Sequence, residues 1–172
     1  MIDQPKAQSL AKQAFELWEA GESESAVPIY QEALLLADPQ HHGLPDYHRE
    51  FAGALSVLGR IAEAEEQYKL SLCVQLRQDG NEFTPGVIVA RYFLAEHFLR
   101  QEEPVVALET IEPSLRDGVT MEWLLRLVKS CALNAVGHKE EARIEAILSI
   151  EKVPSDTKRE QLSKYFAEKG IL

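Results

Sequence analysis

A chain of 172 residues that is 45% hydrophobic and 27% charged has the composition of a folded protein and falls outside the disordered and fibrous classes. Its net charge of −10 argues against a nucleic-acid backbone as the main partner, because phosphate contact needs clustered Lys and Arg. No apolar run reaches the roughly 18 residues of a membrane span, and the start MIDQPKAQSLAKQ lacks the basic and apolar blocks of a signal peptide, so a cytoplasmic address is expected.

Taken in order, the first helix is expected from about Lys6 to Ala20, with Leu10, Ala14 and Leu17 on one face and Ala11, Phe15 and Trp18 on the adjacent one. Gly21 turns the chain. The second helix, from Ser23 to Ala37, carries Ala26, Ile29, Tyr30, Ala33 and Leu34 before Pro39 stops it. The loop DPQHHGLPD leads to a third helix from about Pro45 to Leu58, with Phe51, Ala52 and Leu55 inward, and Gly59 turns into a fourth over Ile61–Arg77. The breaker run QDGNEFTPG is the expected mobile loop.

Thr84 and Pro85 then read as cap and first turn of a helix ending near Arg100, with Leu94, Ala95 and Phe98 inward. Its partner runs from about Pro104 to Arg116, with a kink or early end expected at Pro113. Met121–Val136 and Glu140–Lys152 form the next pair across Gly137. A capping box from Thr157 to Glu160 opens one more helix, with Leu162, Tyr165 and Phe166 on its apolar side. Cys73 and Cys131 are read as buried free thiols, since neither pairing nor metal spacing is present.

The stretch AFELWEAGESESAVPIYQEALLLADP recurs. Ala14, Gly21, Ala26, Tyr30, Ala33 and Pro39 are followed by Ala52, Gly59, Ala64, Tyr68 and Ser71, then by Ala95, Glu102, Ala107, Ile111 and Ser114, and last by Gly137, Ala142, Ala146 and Ser149. The intervals between Ala26, Ala64, Ala107 and Ala142 are 38, 43 and 35 residues. Such a period reads as a helical solenoid, in which a hairpin buries its apolar face only by stacking on its neighbour. The pattern resembles the tetratricopeptide repeat (TPR), and the second copy with its long following loop resembles the longer repeats of kinesin light chains. The fourth copy departs from it at Arg126, Lys129 and Ser130.

The resemblance implies an all-α fold, a right-handed superhelical solenoid of about four antiparallel helix hairpins with a C-terminal capping helix. It would form one domain over residues 1–172, with repeats at about 7–40, 45–78, 85–117 and 120–154 and the cap at 155–169. It also implies a concave groove lined by the first helix of each hairpin. Carried over by position, that face holds Gln8, Phe15 and Trp18, then Arg49, then Tyr92, Glu96, Leu99 and Arg100, with Leu124, Leu127, Cys131 and Asn134 in the fourth repeat. Arg49, Tyr92 and Glu96 are expected to act together on one ligand. Some members of the family grip a C-terminal carboxylate with Lys and Asn, but Ala11, Phe15 and Glu50 stand at the matching positions here, so that clamp is absent.

No glycine-rich phosphate loop, HExxH, paired CxxC or nucleophile elbow occurs. The chain is therefore read as non-catalytic and free of cofactors and metals. A protein-interaction module is expected, acting as adaptor, dedicated chaperone or stoichiometric inhibitor of the immunity type. Its partner is another protein or a peptide, attracted as a basic segment to the acidic half, where residues 1–86 hold 14 acids against 6 bases. It is expected as a monomer or weak homodimer, with no nucleic acid and no membrane. The alternatives are a self-associating assembly protein, or an enzyme or metal-binding protein using His41, His42 and His48, which lie with Asp38 and Asp46 in one ligand-rich loop.

Overall fold

The computed structural model describes residues 1–172 as nine α-helices and one 3-10 turn, without strands. The chain divides into two compact units, Met1–Gly80 and Asn81–Leu172. No helix is long and apolar enough to cross a membrane.

The first unit contains α1 (Gln4–Glu19), α2 (Ser23–Leu36), α3 (Leu44–Val57) and α4 (Ile61–Asp79). Two antiparallel hairpins, α1/α2 and α3/α4, pack through α2 on α3. The Asp3 side chain accepts the Lys6 N–H at 3.2 Å and starts α1, while Pro45 lies in the first turn of α3, where its missing N–H is harmless. A core of Ala7, Ala11, Ala33, Ala37, Leu44, Tyr47 and Val74 joins the two hairpins.

The second unit contains α5 (Pro85–Arg100), α6 (Pro104–Ile111), the 3-10 turn Glu112–Ser114, α7 (Glu122–Ala135), α8 (Lys139–Lys152) and α9 (Asp156–Glu168). The hairpins α5/α6 and α7/α8 stack, with α7 touching both α5 and α6. Helix α6 does end early, passing into the 3-10 turn that contains Pro113. Helix α9 starts one residue before Thr157, because Ser155 rather than Thr157 is its cap and accepts the Lys158 N–H at 3.2 Å. Leu162 and Phe166 of α9 close over Leu133, Ala142, Ala146 and Val153, together with Ile171.

The repeat register is written in small residues. Ala14, Ala26, Ala52, Ala64, Ala95, Ala107 and Ala142 are all fully buried, which is what close approach of two helices in a hairpin demands. The serines that replace alanine late in the second helices add a bond: Ser71 Oγ donates to the Pro45 carbonyl and Ser149 Oγ to the Trp123 carbonyl, each at 2.8 Å. Each ties a second helix to the first turn of the first helix of its own hairpin. Ser130 does the same in the other sense, donating to the Ala142 carbonyl at 2.7 Å.

Arg126 and Lys129 also fit. The Arg126 guanidinium is buried within the α7/α8 hairpin, donating at 2.7 Å to Glu122 and at 2.7 Å to Glu145, and pairing with Asp117. Lys129 reaches the other Glu145 oxygen at 2.5 Å. The fourth repeat thus holds a buried ion cluster beside its apolar core. Two further expectations are corrected. Cys73 is exposed and Cys131 half-buried, so the thiols are free but not both buried. The part of the breaker run in the second unit is anchored rather than loose, because Glu82 accepts from Arg91 at 2.6 Å and from Ser114 at 3.2 Å.

Candidate functional site

In the second unit the expected groove residues converge. A cleft of about 330 Å³ opens between α5 and α7 and is closed on one side by α9, with Ile171 just beyond it. Glu96, Leu99 and Arg100 form the α5 wall, and Leu127, Cys131 and Asn134 form the α7 wall. Their spacing explains the convergence, since positions three and four apart share one helical face. Leu124, expected on this face, is buried instead and does not line the cleft.

The walls are polar at the rim and apolar at the floor. Arg100 pairs with Glu96 at 3.2 Å. Burial pushes the Tyr92 hydroxyl well above the ordinary phenol range, and the neighbouring Glu96 carboxylate, to which it is hydrogen-bonded, pushes it the same way. Tyr92 therefore braces Glu96 more than it lines the cleft. Across from it, the Tyr165 hydroxyl lies 3.6 Å from Cys131 Sγ, and burial raises the pKa of both groups. The Lys169 ammonium sits 5.6 Å from the centre of the Tyr165 ring.

Tyr165, Lys169 and Ile171 were not anticipated as site residues. The sequence placed Tyr165 with Leu162 and Phe166 on the buried side of α9, yet only the latter two are buried. The available signal was the four-residue step from Tyr165 to Lys169, which sets an aromatic and a cation on one face, turned from the Leu162/Phe166 seam.

In the first unit Gln8 is exposed, and Phe15 and Trp18 meet edge to face with centroids 6.0 Å apart. Trp18 packs against α3 at Gly53, where a Cβ would stand 2.5 Å from its ring. Glycine is required there by close approach, and the Trp18 ring serves as packing between the hairpins. Arg49 pairs with Asp46 at 2.9 Å and approaches Glu50 at 3.7 Å.

Glu50 is the electrostatically unusual group of this unit. Burial raises its pKa to about 7 against the opposing pull of Arg49, and the Tyr30 hydroxyl lies 3.5 Å away. A carboxyl that holds its proton more tightly when folded favours the folded state at acid pH. That contribution is complete below the ordinary carboxylate value of 4.5 and is lost as pH rises to about 7. Glu50→Gln is accordingly expected to stabilise the protein by on the order of 1–3 kcal/mol at pH 8 and to change little at pH 4.5. Thermal melts of both proteins at the two pH values check this, and an equal shift at both would remove the titration from the explanation.

The histidine loop does not gather ligands. His41 Nδ1 accepts the Gly43 N–H at 3.1 Å, while His48 turns away to Gln67 at 2.7 Å. Burial lowers the pKa of His48, with the Gln67 bond opposing. No group of three or more His, Cys, Asp or Glu side chains is placed to share a metal ion. His41 and His48 thus serve separate local hydrogen bonds.

No protein-family profile matches the sequence and no curated protein does so. Known structures do share the fold. A putative kinesin light chain of Podosopora anserina with nearly identical TPR-like repeats superposes with a TM-score of 0.72 at 16% identity, over 99% of this chain and 90% of the other. MamA from Desulfovibrio magneticus RS-1, from its residue 41 to its end, matches with a TM-score of 0.64 at 16% identity, over 96% and 86%. The TPR-like fold expected from the repeat pattern is therefore shown, and identity at this level speaks to fold alone.

Proposed function

We propose that the chain is a non-catalytic docking protein that holds a segment of another protein in the cleft between α5, α7 and α9. The observation that carries this is the cleft's make-up: an apolar floor of Leu99, Leu127, Val128 and Ile171 under a rim of Tyr165, Arg100, Lys169, Glu96 and Asn134. Tyr and Arg dominate binding energy where they surround a desolvated floor, and a cleft between parallel walls of helix suits a helical or extended segment. Holding, blocking or bridging are the actions open to such a module, as adaptor, dedicated chaperone or stoichiometric inhibitor.

The rim sets the charge that fits. Arg100 and Lys169 face one carboxylate, Glu96, so this cleft favours a neutral or acidic segment. A basic partner segment belongs elsewhere on the chain. Affinity capture with the intact protein, followed by titration of the captured protein, tests the reading. Tyr165→Ala is expected to weaken binding by about 2 kcal/mol while the melting temperature changes little, because Tyr165 is partly exposed. Unchanged affinity in Tyr165→Ala and in Lys169→Glu would remove the cleft from the interface.

A further inference from the structure

The first unit has its own unused surface, on the side where α2 and α4 flank α3. Leu34 and Leu35 of α2 and Phe51 and Leu55 of α3 make an apolar trough of about 500 Å³, rimmed by Gln31, Glu63, Glu66 and Gln67. Phe51 and Leu55 are buried beneath it, while Leu35 is 81% exposed and contributes nothing to the core. An apolar side chain beside an open trough, ringed by polar groups, is the local pattern of an interaction site rather than of scattered surface leucines.

Charge identifies the occupant. Glu63 is held by Arg60 at 2.8 Å, but Glu66 is exposed and no lysine or arginine lines the trough. The whole unit, residues 1–80, carries 13 acids against 6 bases. We propose that this trough docks a short segment of a partner protein that presents a bulky apolar side chain beside a lysine or arginine. The apolar side chain settles between Leu34 and Leu35 above Phe51 and Leu55, and the cation meets Glu66. An acidic segment is repelled by the same field. A second copy of this chain, docking by the same face, would set Glu66 against Glu66. The trough is separate from the cleft of the second unit and takes a segment of the opposite charge.

Two short capped helical peptides, with leucines on one face and either lysines or glutamates on the other, serve as probes for amide chemical-shift mapping on the intact protein. The lysine peptide is expected to give saturable shifts at Leu34, Leu35, Glu66 and Gln67 that weaken as salt is raised, and the glutamate peptide none. Glu66→Lys and Leu35→Ser, both at exposed positions and checked for folding by circular dichroism, are each expected to weaken the lysine peptide by about fivefold or more. Equal binding of the two peptides, unchanged affinity in both variants, or shifts confined to the Glu96 and Lys169 cleft would overturn the proposal. So would a concentration-dependent dimer abolished by Leu35→Ser, which would assign the trough to self-association.

Discussion

Arg126→Met is expected to lower the stability of the protein by about 3–5 kcal/mol, the range found when one partner of a buried ion pair is removed. Its guanidinium answers two carboxylates that water hardly reaches, Glu122 at 3% and Glu145 at 8% exposure. Without it, both charges stay buried with only partial relief, from Lys129 at 2.5 Å from Glu145 and from Lys152 at 3.9 Å from Glu122. Glu122 also accepts the Gly118 N–H at 2.6 Å, so the loop before α7 loosens as well. Because the loss comes from stranded carboxylates rather than from a missing contact, Arg126→Met combined with Glu145→Gln should recover part of it. Urea denaturation of the three proteins decides the matter: a loss below about 1 kcal/mol for Arg126→Met would mean that the cluster is solvated and contributes as a surface network does.

How far the sequence could be read depends on how local each signal is. The alanines at hairpin crossings and the glycines at hairpin turns answer to constraints within one repeat. Gly21, Gly59 and Gly137 all take positive φ at equivalent turns, and the third turn uses Glu102 at φ 61° instead, strained for a residue with a side chain. The helices and their inward faces follow from such positions alone. Arg126 broke the apolar pattern because only part of its compensation, Glu122 four residues earlier on the same helix, is local, while Glu145 sits 19 residues away on a different helix, where no periodicity announces it. The cleft was half legible for the same reason. Glu96, Leu99, Arg100, Leu127, Cys131 and Asn134 come from the two first helices and share one periodic pattern, whereas the contribution of α9 depends on the rotation of that helix about its axis. Its sequence offered three adjacent apolar candidates, Leu162, Tyr165 and Phe166, and only the packing against Leu133 and Ala146 selects two of them. Trp18 illustrates the reverse error. An aromatic at a groove position reads as a binding residue, but the glycine that receives it, Gly53, lies on the neighbouring hairpin, and nothing in the spacing of one repeat links the two.

Phe166→Ala is expected to cost about 3–5 kcal/mol, the range for emptying a fully buried aromatic site, and to act on the cleft as well as on the core. Phe166 is fully buried among Leu133, Ala142, Ala146, Val153 and Leu162, and this seam is what sets the rotation of α9. Tyr165 and Lys169 are on the cleft because Phe166 is in the core. With the anchor removed, α9 keeps Leu162 and Ile171 as apolar contacts, too little to hold an amphipathic helix whose remaining surface is charged, so it should open before the hairpins do. Hydrogen exchange then separates the two levels of the effect: amides of α9 should exchange much faster than in the parent protein, while those of α5 and α7 keep most of their protection. Binding in the cleft should fall at least as far as in Tyr165→Ala, since two rim residues are displaced together. If α9 keeps its protection and the denaturation midpoint is unmoved, the helix is held by something other than the Phe166 seam, and the closed side of the cleft must be built differently.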